Sequence, residues 1–116
     1  MTSQNESPVI NQLLDQNTFI KYANQGDSIT IGASTGTVTD KTYSEIGGVP
    51  TTFHISIKVL GQELTTSKTI STGEYMERVK KGDLVKNSSG TFRVTDKVFV
   101  KQQDGADFVR MNWQRV

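Results

Sequence analysis

The chain has 116 residues, of which 34% are hydrophobic, and its formal net charge is +1 from 13 Lys plus Arg against 12 Asp plus Glu. That length allows one domain with a small core, and so balanced a charge is untypical of proteins that bind nucleic acid mainly by neutralising phosphates. The sequence contains no cysteine, which excludes disulfides, thiolate nucleophiles and cysteine-based zinc sites.

The N-terminal residues predict a polar arm followed by a helix. They lack the basic start and apolar run of a signal peptide, and no stretch is long enough to cross a bilayer, so we expect a soluble chain made in a cytoplasm. In SPVINQLLDQNTFIKYANQG, Ser7 suits a helix cap and Pro8 suits the first helical position, and apolar residues follow at helical spacing. We therefore predict an arm with a short helix over residues 1–26 and a β domain over residues 27–116.

Alternating apolar residues predict strands from Asp27 onward. The segments SITIGA and STGTV are typical of a hairpin, with Gly36 at its turn. TFHISIKVL gives the clearest strand pattern, because its apolar residues occupy every second position. Between these segments, residues 40–52 contain two adjacent glycines and a proline, which predict a long, turn-rich loop.

The C-terminal half predicts further β structure. GEYMERVKKGD indicates a helical turn over residues 75–79, closed by Gly82, and LVKNSSGTFRV indicates a hairpin. The strand continues through TDKVFV, where Asp96 falls on the apolar face, so we expect a bulge near Asp96 and Lys97. FVRMNWQRV predicts the last strand. The pattern predicts an all-β fold, a small β-barrel or sandwich with a short N-terminal helical segment and a long loop at about 40–52. We find no internal repeat.

No group of residues predicts catalysis, a cofactor or a metal. His54, the only histidine, falls on the polar face of its strand, where a hydrogen-bonded or solvent-facing role is usual. Gly32 and Gly36 lack the following lysine and helix of a phosphate-binding loop. Asp104 and Asp107 lack the ligand ladder of a calcium loop. We therefore predict no catalytic, cofactor-binding or metal-binding residues and no enzyme.

Four aromatic residues near the C-terminus leave two interpretations open. Together they would suit a base-stacking platform, as in oligonucleotide-binding barrels. Strand alternation instead assigns Phe92 and Trp113 to the core and leaves Phe99 and Phe108 on the opposite faces, where with Arg110 they predict a surface that faces another subunit. The nearby cations, interspersed with acids, predict a solvated face or a contact with neighbouring subunits or passing DNA. These cations are Arg78, Lys80, Lys81, Lys86, Arg93 and Lys97.

The segment KTISTGEYMERVKKGDLVKNSSGTFRVTDKV resembles the head–tail joining proteins of long-tailed bacteriophages, the head-completion or stopper family typified by that of phage lambda. In those chains a strand ending in threonine precedes an acidic residue, a basic-Gly-Asp turn and a hairpin whose second strand begins with an aromatic residue. The resemblance covers roughly the C-terminal half of the chain. The matching residues are Ile70, Thr72, Glu74, Lys81, Gly82, Asp83, Phe92, Val94 and Val98, followed by Asp104, Gly105 and Trp113.

The resemblance implies a structural virion protein that forms a ring, a hexamer or dodecamer, below the portal or its adaptor and above a tail protein. Genome DNA would pass through its lumen with little specific binding, and no membrane would be involved. The candidate interface residues are Phe99, Phe108, Arg110, Lys80, Lys81 and Asp83. The candidate loop residues facing the lumen or the tail are Tyr43, Ile46, Gly47, Gly48, Val49 and Pro50.

The sequence is compatible with two alternatives. Another phage tail module, such as a tail terminator, tube or baseplate protein, shares the same sequence features. An oligonucleotide-binding β-barrel would instead bind single-stranded DNA with the salt sensitivity that phosphate contacts produce.

Overall fold

A computed structural model describes residues 10–116. In that part of the chain, one short helix precedes six strands and a second short helix precedes the last three strands. The elements are α1 (Gln16–Tyr22), β1 (Ser28–Ile31), β2 (Ser34–Thr37), β3 (Asp40–Ile46), β4 (Thr52–Val59), β5 (Gln62–Thr65), β6 (Ile70–Ser71), α2 (Thr72–Arg78), β7 (Leu84–Asn87), β8 (Gly90–Val100) and β9 (Phe108–Arg115).

The strands form a small hairpin and one larger sheet. β1 and β2 pair antiparallel with each other. The remaining strands follow the order β5-β4-β3-β7-β8-β9, and β6 pairs with β4. β3 and β7 run parallel, with Tyr43 facing Val85, and the other pairs in this sheet are antiparallel. The predicted sheet-rich domain with a short N-terminal helix is confirmed, and its sheet follows an open path from β5 to β9.

The core lies where the helices pack against the central strands. All four alternating apolar residues of β4 are buried, as the sequence pattern predicts. The helices contribute Ile20 and Tyr75. The buried apolar residues are Ile20, Ile29, Val38, Tyr43, Phe53, Ile55, Ile57, Val59, Ile70, Tyr75, Val79, Val85 and Val94.

Helix α1 begins later than predicted. Asp15 caps it, because one carboxylate oxygen accepts the N–H of Thr18 at 2.8 Å. Residues 10–15 are not helical, and the predicted start at Ser7 and Pro8 lies outside the described residues. Since Ile20 is fully buried in the core, α1 belongs to the β domain.

The predicted loop over residues 40–52 is wrong in extent. Residues 40–46 form β3, which lies inside the sheet between β4 and β7, and the connecting loop spans only residues 47–51. The predicted turn at Gly36 is also wrong. The turn is at Gly32 and Ala33, whereas Gly36 lies in β2, where a Cβ would be 2.6 Å from the Leu60 side chain.

The second half follows its sequence pattern more closely. β7 and β8 form the predicted hairpin around Ser88 and Ser89, and β8 carries a bulge between Val94 and Asp96, close to the predicted position. Helix α2 covers residues 75–78 of the predicted helical turn and ends at Arg78, with Val79 as its C-cap. The positive φ of Gly82 therefore serves the turn that follows and does not cap the helix.

Beyond the bulge, β8 and β9 continue as a two-stranded projection (residues 96–112). We call this projection the arm; it is a different segment from the predicted N-terminal arm. The outer edge of β8 pairs with β7 only before the bulge, so along the arm this edge has no strand partner among the described residues. The molecule measures 58 × 37 × 25 Å and its radius of gyration is 17.3 Å, against about 13 Å for a compact protein of this length.

Candidate assembly surface

The Lys-Lys-Gly-Asp segment forms a tight turn between α2 and β7. Asp83 is 3% exposed and accepts the N–H of Lys80 at 2.9 Å, and burial raises the pKa of its carboxyl. Gly82, at φ +96°, donates its N–H to the carbonyl of Val94 at 2.8 Å. The polar groups of the turn are thus bonded within the chain and Asp83 is buried, so the prediction that Asp83 lies at a subunit interface is wrong.

The turn between α1 and β1 has the same geometry. Asp27 accepts the N–H of Asn24 at 2.8 Å. Gly26, at φ +90°, donates its N–H to the carbonyl of Val38 at 2.9 Å. Gly26 and Asp27 precede Gly82 and Asp83 of the turn before β7 by 56 positions each.

Lys41 is buried in β3 with all three of its ammonium protons in use. Its Nζ donates to the carbonyls of Lys21 and Ala23, each at 2.7 Å, and to Oδ1 of Asn24 at 3.3 Å. These acceptors lie at the C-terminal end of α1, where a helix leaves its carbonyls without internal partners. Burial lowers the pKa of Lys41 to about 8.

Lys97 makes the equivalent contacts at the end of α2. Its Nζ donates to the carbonyls of Glu77 at 3.3 Å and Val79 at 2.8 Å, which lie 56 residues after the two carbonyl acceptors of Lys41. It also reaches the carbonyl of Met76 at 2.6 Å. Burial lowers the pKa of Lys97 as well.

The chain therefore contains an internal repeat, and the sequence-based conclusion that there is none is wrong. The first repeat comprises α1 and β1–β4, and the second comprises α2 and β7–β9. The last strand of the second repeat, β9, pairs two positions out of step with its counterpart β4. Tyr43 faces Ile55, whereas Phe99 faces Val109 and not Met111, which lies 56 residues after Ile55. The residues identical at a spacing of 56 are Gly26 and Gly82, Asp27 and Asp83, Thr35 and Thr91, Val38 and Val94, Thr39 and Thr95, Asp40 and Asp96, and Lys41 and Lys97.

Within the chain, the second repeat covers the β3–β4 hairpin of the first. The Tyr75 ring stacks on Phe53 at 4.0 Å between centroids and meets Tyr43 edge-on at 5.5 Å. Burial raises the pKa of Tyr75 to about 12. Glu74 of α2 binds Lys21 of α1 at 2.9 Å, and this contact lowers the pKa of Glu74. Tyr43 is fully buried, so its predicted position in a loop facing the lumen or the tail is wrong.

The counterpart of the β3–β4 hairpin in the second repeat is the arm. Among the described residues, no helix or strand packs on the arm as α2 and β7 pack on that hairpin. Phe99 corresponds to Tyr43, yet it is 73% exposed. We define the arm surface as Phe99, Val109 and the unpaired edge of β8 at residues 98–100. A shallow groove follows it, lined by Phe99, Val100, Lys101, Asp107, Phe108 and Val109.

The first repeat leaves the complementary elements exposed. Phe19, the counterpart of Tyr75, is 37% exposed against 4%, and Leu14, the counterpart of Ile70, is 42% exposed against 5%. The outer edge of β1 pairs with no strand in the described part of the chain. We define the helix surface as Leu14, Phe19 and this edge at residues 28–30. A second groove is lined by Leu14, Phe19, Tyr22, Ala23, Asp27, Ser28, Ile29 and Thr30.

The structure separates the other predicted interface residues. Phe99 lies on one face of the arm, whereas Phe108 and Arg110 point to the other, with the guanidinium 5.8 Å from the Phe108 ring. The prediction that these three residues share one face is therefore wrong. Lys80 and Lys81 are exposed beside the turn that precedes β7.

The remaining loop candidates lie where the sequence predicts a turn. Ile46, Gly47, Gly48, Val49 and Pro50 are all exposed. Their orientation toward a lumen or a tail stays a prediction.

An aromatic patch lies at the base of the arm. The rings of Phe92 and Trp113 are 5.6 Å apart, and the guanidinium of Arg115 lies 5.0 Å from the Phe92 ring. Phe92 is half-buried, but Trp113 is 42% exposed. The predicted core position of Trp113 is therefore wrong.

His54 and groups that could hold a metal are the remaining candidates. Nδ1 of His54 lies 3.5 Å from Oγ1 of Thr66, which agrees with a hydrogen-bonded structural role. Within residues 10–116, no group of three or more His, Asp or Glu is arranged to hold a metal ion. Neither described helix is long and apolar enough to cross a membrane.

Comparison of the chain with protein-family models, curated proteins and solved structures found no match. The resemblance to head–tail joining proteins therefore stays a prediction.

Proposed function

We propose that this protein is a structural subunit of a bacteriophage neck, which assembles with copies of itself into a ring and joins the DNA-filled head to the tail. The arm surface carries the assembly part of the proposal. There, Phe99 exposes most of its ring beside an unpaired strand edge, and such apolar edges favour pairing with another chain. The phage setting, with a portal or adaptor above and a tail protein below, rests on the residue pattern between Ile70 and Val98.

A structural role also accounts for three ionisable groups whose pKa values are shifted by burial. Lys41 and Lys97 bind the ends of the two helices, and Asp83 binds the backbone of its own turn. Catalytic groups with shifted pKa values usually face a cleft that admits a substrate. These three groups instead hold neighbouring backbone in place. Lys41 also lines a pocket with Asn24 and Lys80, but its three ammonium protons are already donated within the chain.

Phage particles produced without this protein test the proposal. We expect electron micrographs to show filled heads separate from complete tails, and the protein supplied from a plasmid should restore whole virions. Whole, infectious virions in its absence would refute a neck function. Complete heads with absent or abnormal tails would favour the alternative of a tail terminator, tube or baseplate protein.

The aromatic patch of Phe92, Trp113 and Arg115 supports a second candidate, an oligonucleotide-binding protein. Accessible aromatic rings beside a guanidinium can hold single-stranded bases. Trp113 is the only tryptophan, so quenching of its fluorescence by oligonucleotides reports directly on this patch. Saturable quenching that weakens steeply with salt would support this candidate, and unchanged fluorescence at low salt would exclude it.

A further inference from the structure

We propose that copies of this protein join head to tail, with the helix surface of one copy docking on the arm surface of the copy before it. The arrangement would be the one that already joins the two repeats within each chain. The inference rests on the proposed function only in treating the arm as an assembly surface, and it specifies the occupant of that surface as a second copy.

The strand register between copies follows from the register within the chain. Residues 42–44 of β3 face residues 84–86 of β7 in a parallel pair. One repeat further on, residues 98–100 of the arm would face residues 28–30 of the next copy. Both edges lack a partner in the described part of the chain, so this pairing would satisfy backbone groups that otherwise face water.

The contact between the Tyr43 and Tyr75 rings within the chain also has a counterpart between two copies. Phe99 would take the place of Tyr43, and Phe19 of the next copy would take the place of Tyr75. The hydroxyls of both tyrosines are buried without a hydrogen-bond partner, so the contact between them depends on the rings alone. Phenylalanine at both counterpart positions therefore preserves what the contact requires.

A charge pair supports the same arrangement. Across the two repeats, Nε2 of Gln25 donates to the carbonyl of Gly82 at 2.7 Å and to Oδ1 of Asp83 at 3.1 Å. Between copies, Lys81 of one copy would take the place of Gln25, and Asp27 of the next copy would take the place of Asp83. Both side chains belong to exposed residues and carry opposite charges, so an ion pair would replace the amide contact.

A second copy is the occupant that these observations favour, because the two exposed surfaces are the separate halves of an interface that each chain makes once internally. The contact is heterologous, since each copy uses a different surface on each side. Repeating it produces a ring if the rotation closes and a filament if it does not. Either assembly would contain twice as many structural units as chains.

Disulfide trapping tests the register, because the natural chain has no cysteine. Facing residues of paired strands have Cα atoms roughly 5 Å apart, within the range that a disulfide can bridge. We expect the double variant S28C/V98C to give a ladder of covalent oligomers on oxidation, and an equal mixture of the two single variants to give a covalent dimer only. The variant T42C/L84C, at the equivalent positions within one chain, should close a disulfide without increasing the mass.

The out-of-register variant S28C/V100C is the matched control for geometry, and it should form few oligomers. F99S should weaken association by about 10- to 100-fold, as expected for loss of a buried phenylalanine. R110S changes an exposed residue on the other face of the arm, outside the groove, and should leave association unchanged.

Absence of a ladder from S28C/V98C, or equal trapping by S28C/V100C, would overturn the proposed docking. Covalent dimers formed by S28C alone would overturn it as well, since they would indicate a symmetric contact. These outcomes differ from failure of the neck function. Particles without the protein would still show separate heads and tails if the chain assembles through another surface.

Discussion

Lys41 and Lys97 occupy the same position in two successive repeats, and each places its ammonium group on the carbonyls that end the helix of its own repeat. A buried lysine is unfavourable unless its charge is compensated. The partial negative charge at a helix C-terminus supplies that compensation. The paired lysines thus fix each helix on its strand, which places α1 and α2 at equivalent positions on successive hairpins.

Replacing Lys41 with methionine should destabilise the protein by ~2–4 kcal/mol, because two carbonyls at the end of α1 and Oδ1 of Asn24 lose their donor. K97M should act in the same direction and less strongly, since Lys97 is less buried. Urea unfolding measures both changes. K58M, which alters an exposed lysine on β4, should change stability by less than ~0.5 kcal/mol. Equal effects of K41M and K58M would contradict this account of helix capping.

Stability should rise with pH between about 8 and 10. The pKa of Lys41 is about 8 in the folded protein and 10.5 when unperturbed, so the unfolded state holds more protons in this interval and its formation becomes less favourable as pH rises. Lys97 acts in the same direction. Above about pH 10, the raised pKa values of Tyr43 and Tyr75 oppose the rise.

Urea midpoints at pH 7, 8, 9 and 10 measure this dependence, and the expected gain is ~1–2 kcal/mol. K41M should remove most of it. A fall in stability over the same interval would show that the ammonium of Lys41 is favoured by its site.

Alanine in place of Gly26 or Gly82 should destabilise the protein by ~1–2 kcal/mol in each case. Both residues have φ values near +90°, which side chains other than glycine rarely adopt. Space is available at both positions, so backbone conformation is the cause. G73A in α2 is the control and should raise stability by ~0.5 kcal/mol, as expected for alanine in a helix. Thermal unfolding distinguishes these outcomes, and a neutral G26A would contradict the equivalence of the two turns.

Removing a hydroxyl from the inter-repeat contact should stabilise the protein. The hydroxyls of Tyr43 and Tyr75 are buried without a partner, so Y43F and Y75F each relieve an unmet hydrogen bond worth ~1 kcal/mol. Denaturant unfolding gives the sign. Y22F, at an exposed tyrosine, should change little. Destabilisation by both buried substitutions would indicate that the hydroxyls are hydrogen-bonded in solution.

Alanine in place of His54 should leave biological activity intact and change stability by less than ~1 kcal/mol, since its contact with Thr66 is long. T66V is the informative comparison. Oγ1 of Thr66 accepts the N–H of Ile55 at 3.1 Å in a buried position, so this substitution should cost about 1–3 kcal/mol. An inactive but folded H54A protein would point to a chemical role.

The sequence predicted those elements whose side chains alternate without interruption. β4 and the β7–β8 hairpin are of this kind, because apolar alternation and a short polar turn determine them locally. The sequence predicts a loop where β3 lies, because Gly47, Gly48 and Pro50 directly after it are strong turn signals. Its pairing with the distant β7 could not be read from its own residues.

The repeat leaves a signal in the sequence that the local helix and strand patterns do not contain. Val-Thr-Asp-Lys occurs at residues 38–41 and 94–97, and Gly-Asp occurs at residues 26–27 and 82–83 with the same spacing. Identities at one fixed spacing are the sequence signature of a repeated structural unit. The burial of Lys41 was not predictable in this way, because it depends on where a helix ends in space.

The arm also makes the protein elongated, which affects its frictional coefficient in size-exclusion chromatography and sedimentation. A molecule 58 Å long and 25 Å thick experiences more friction than a sphere of equal mass. A monomer will therefore elute somewhat earlier from a sizing column than a compact protein of the same mass. Subunit number is better obtained from light scattering or sedimentation equilibrium, which report mass independently of shape.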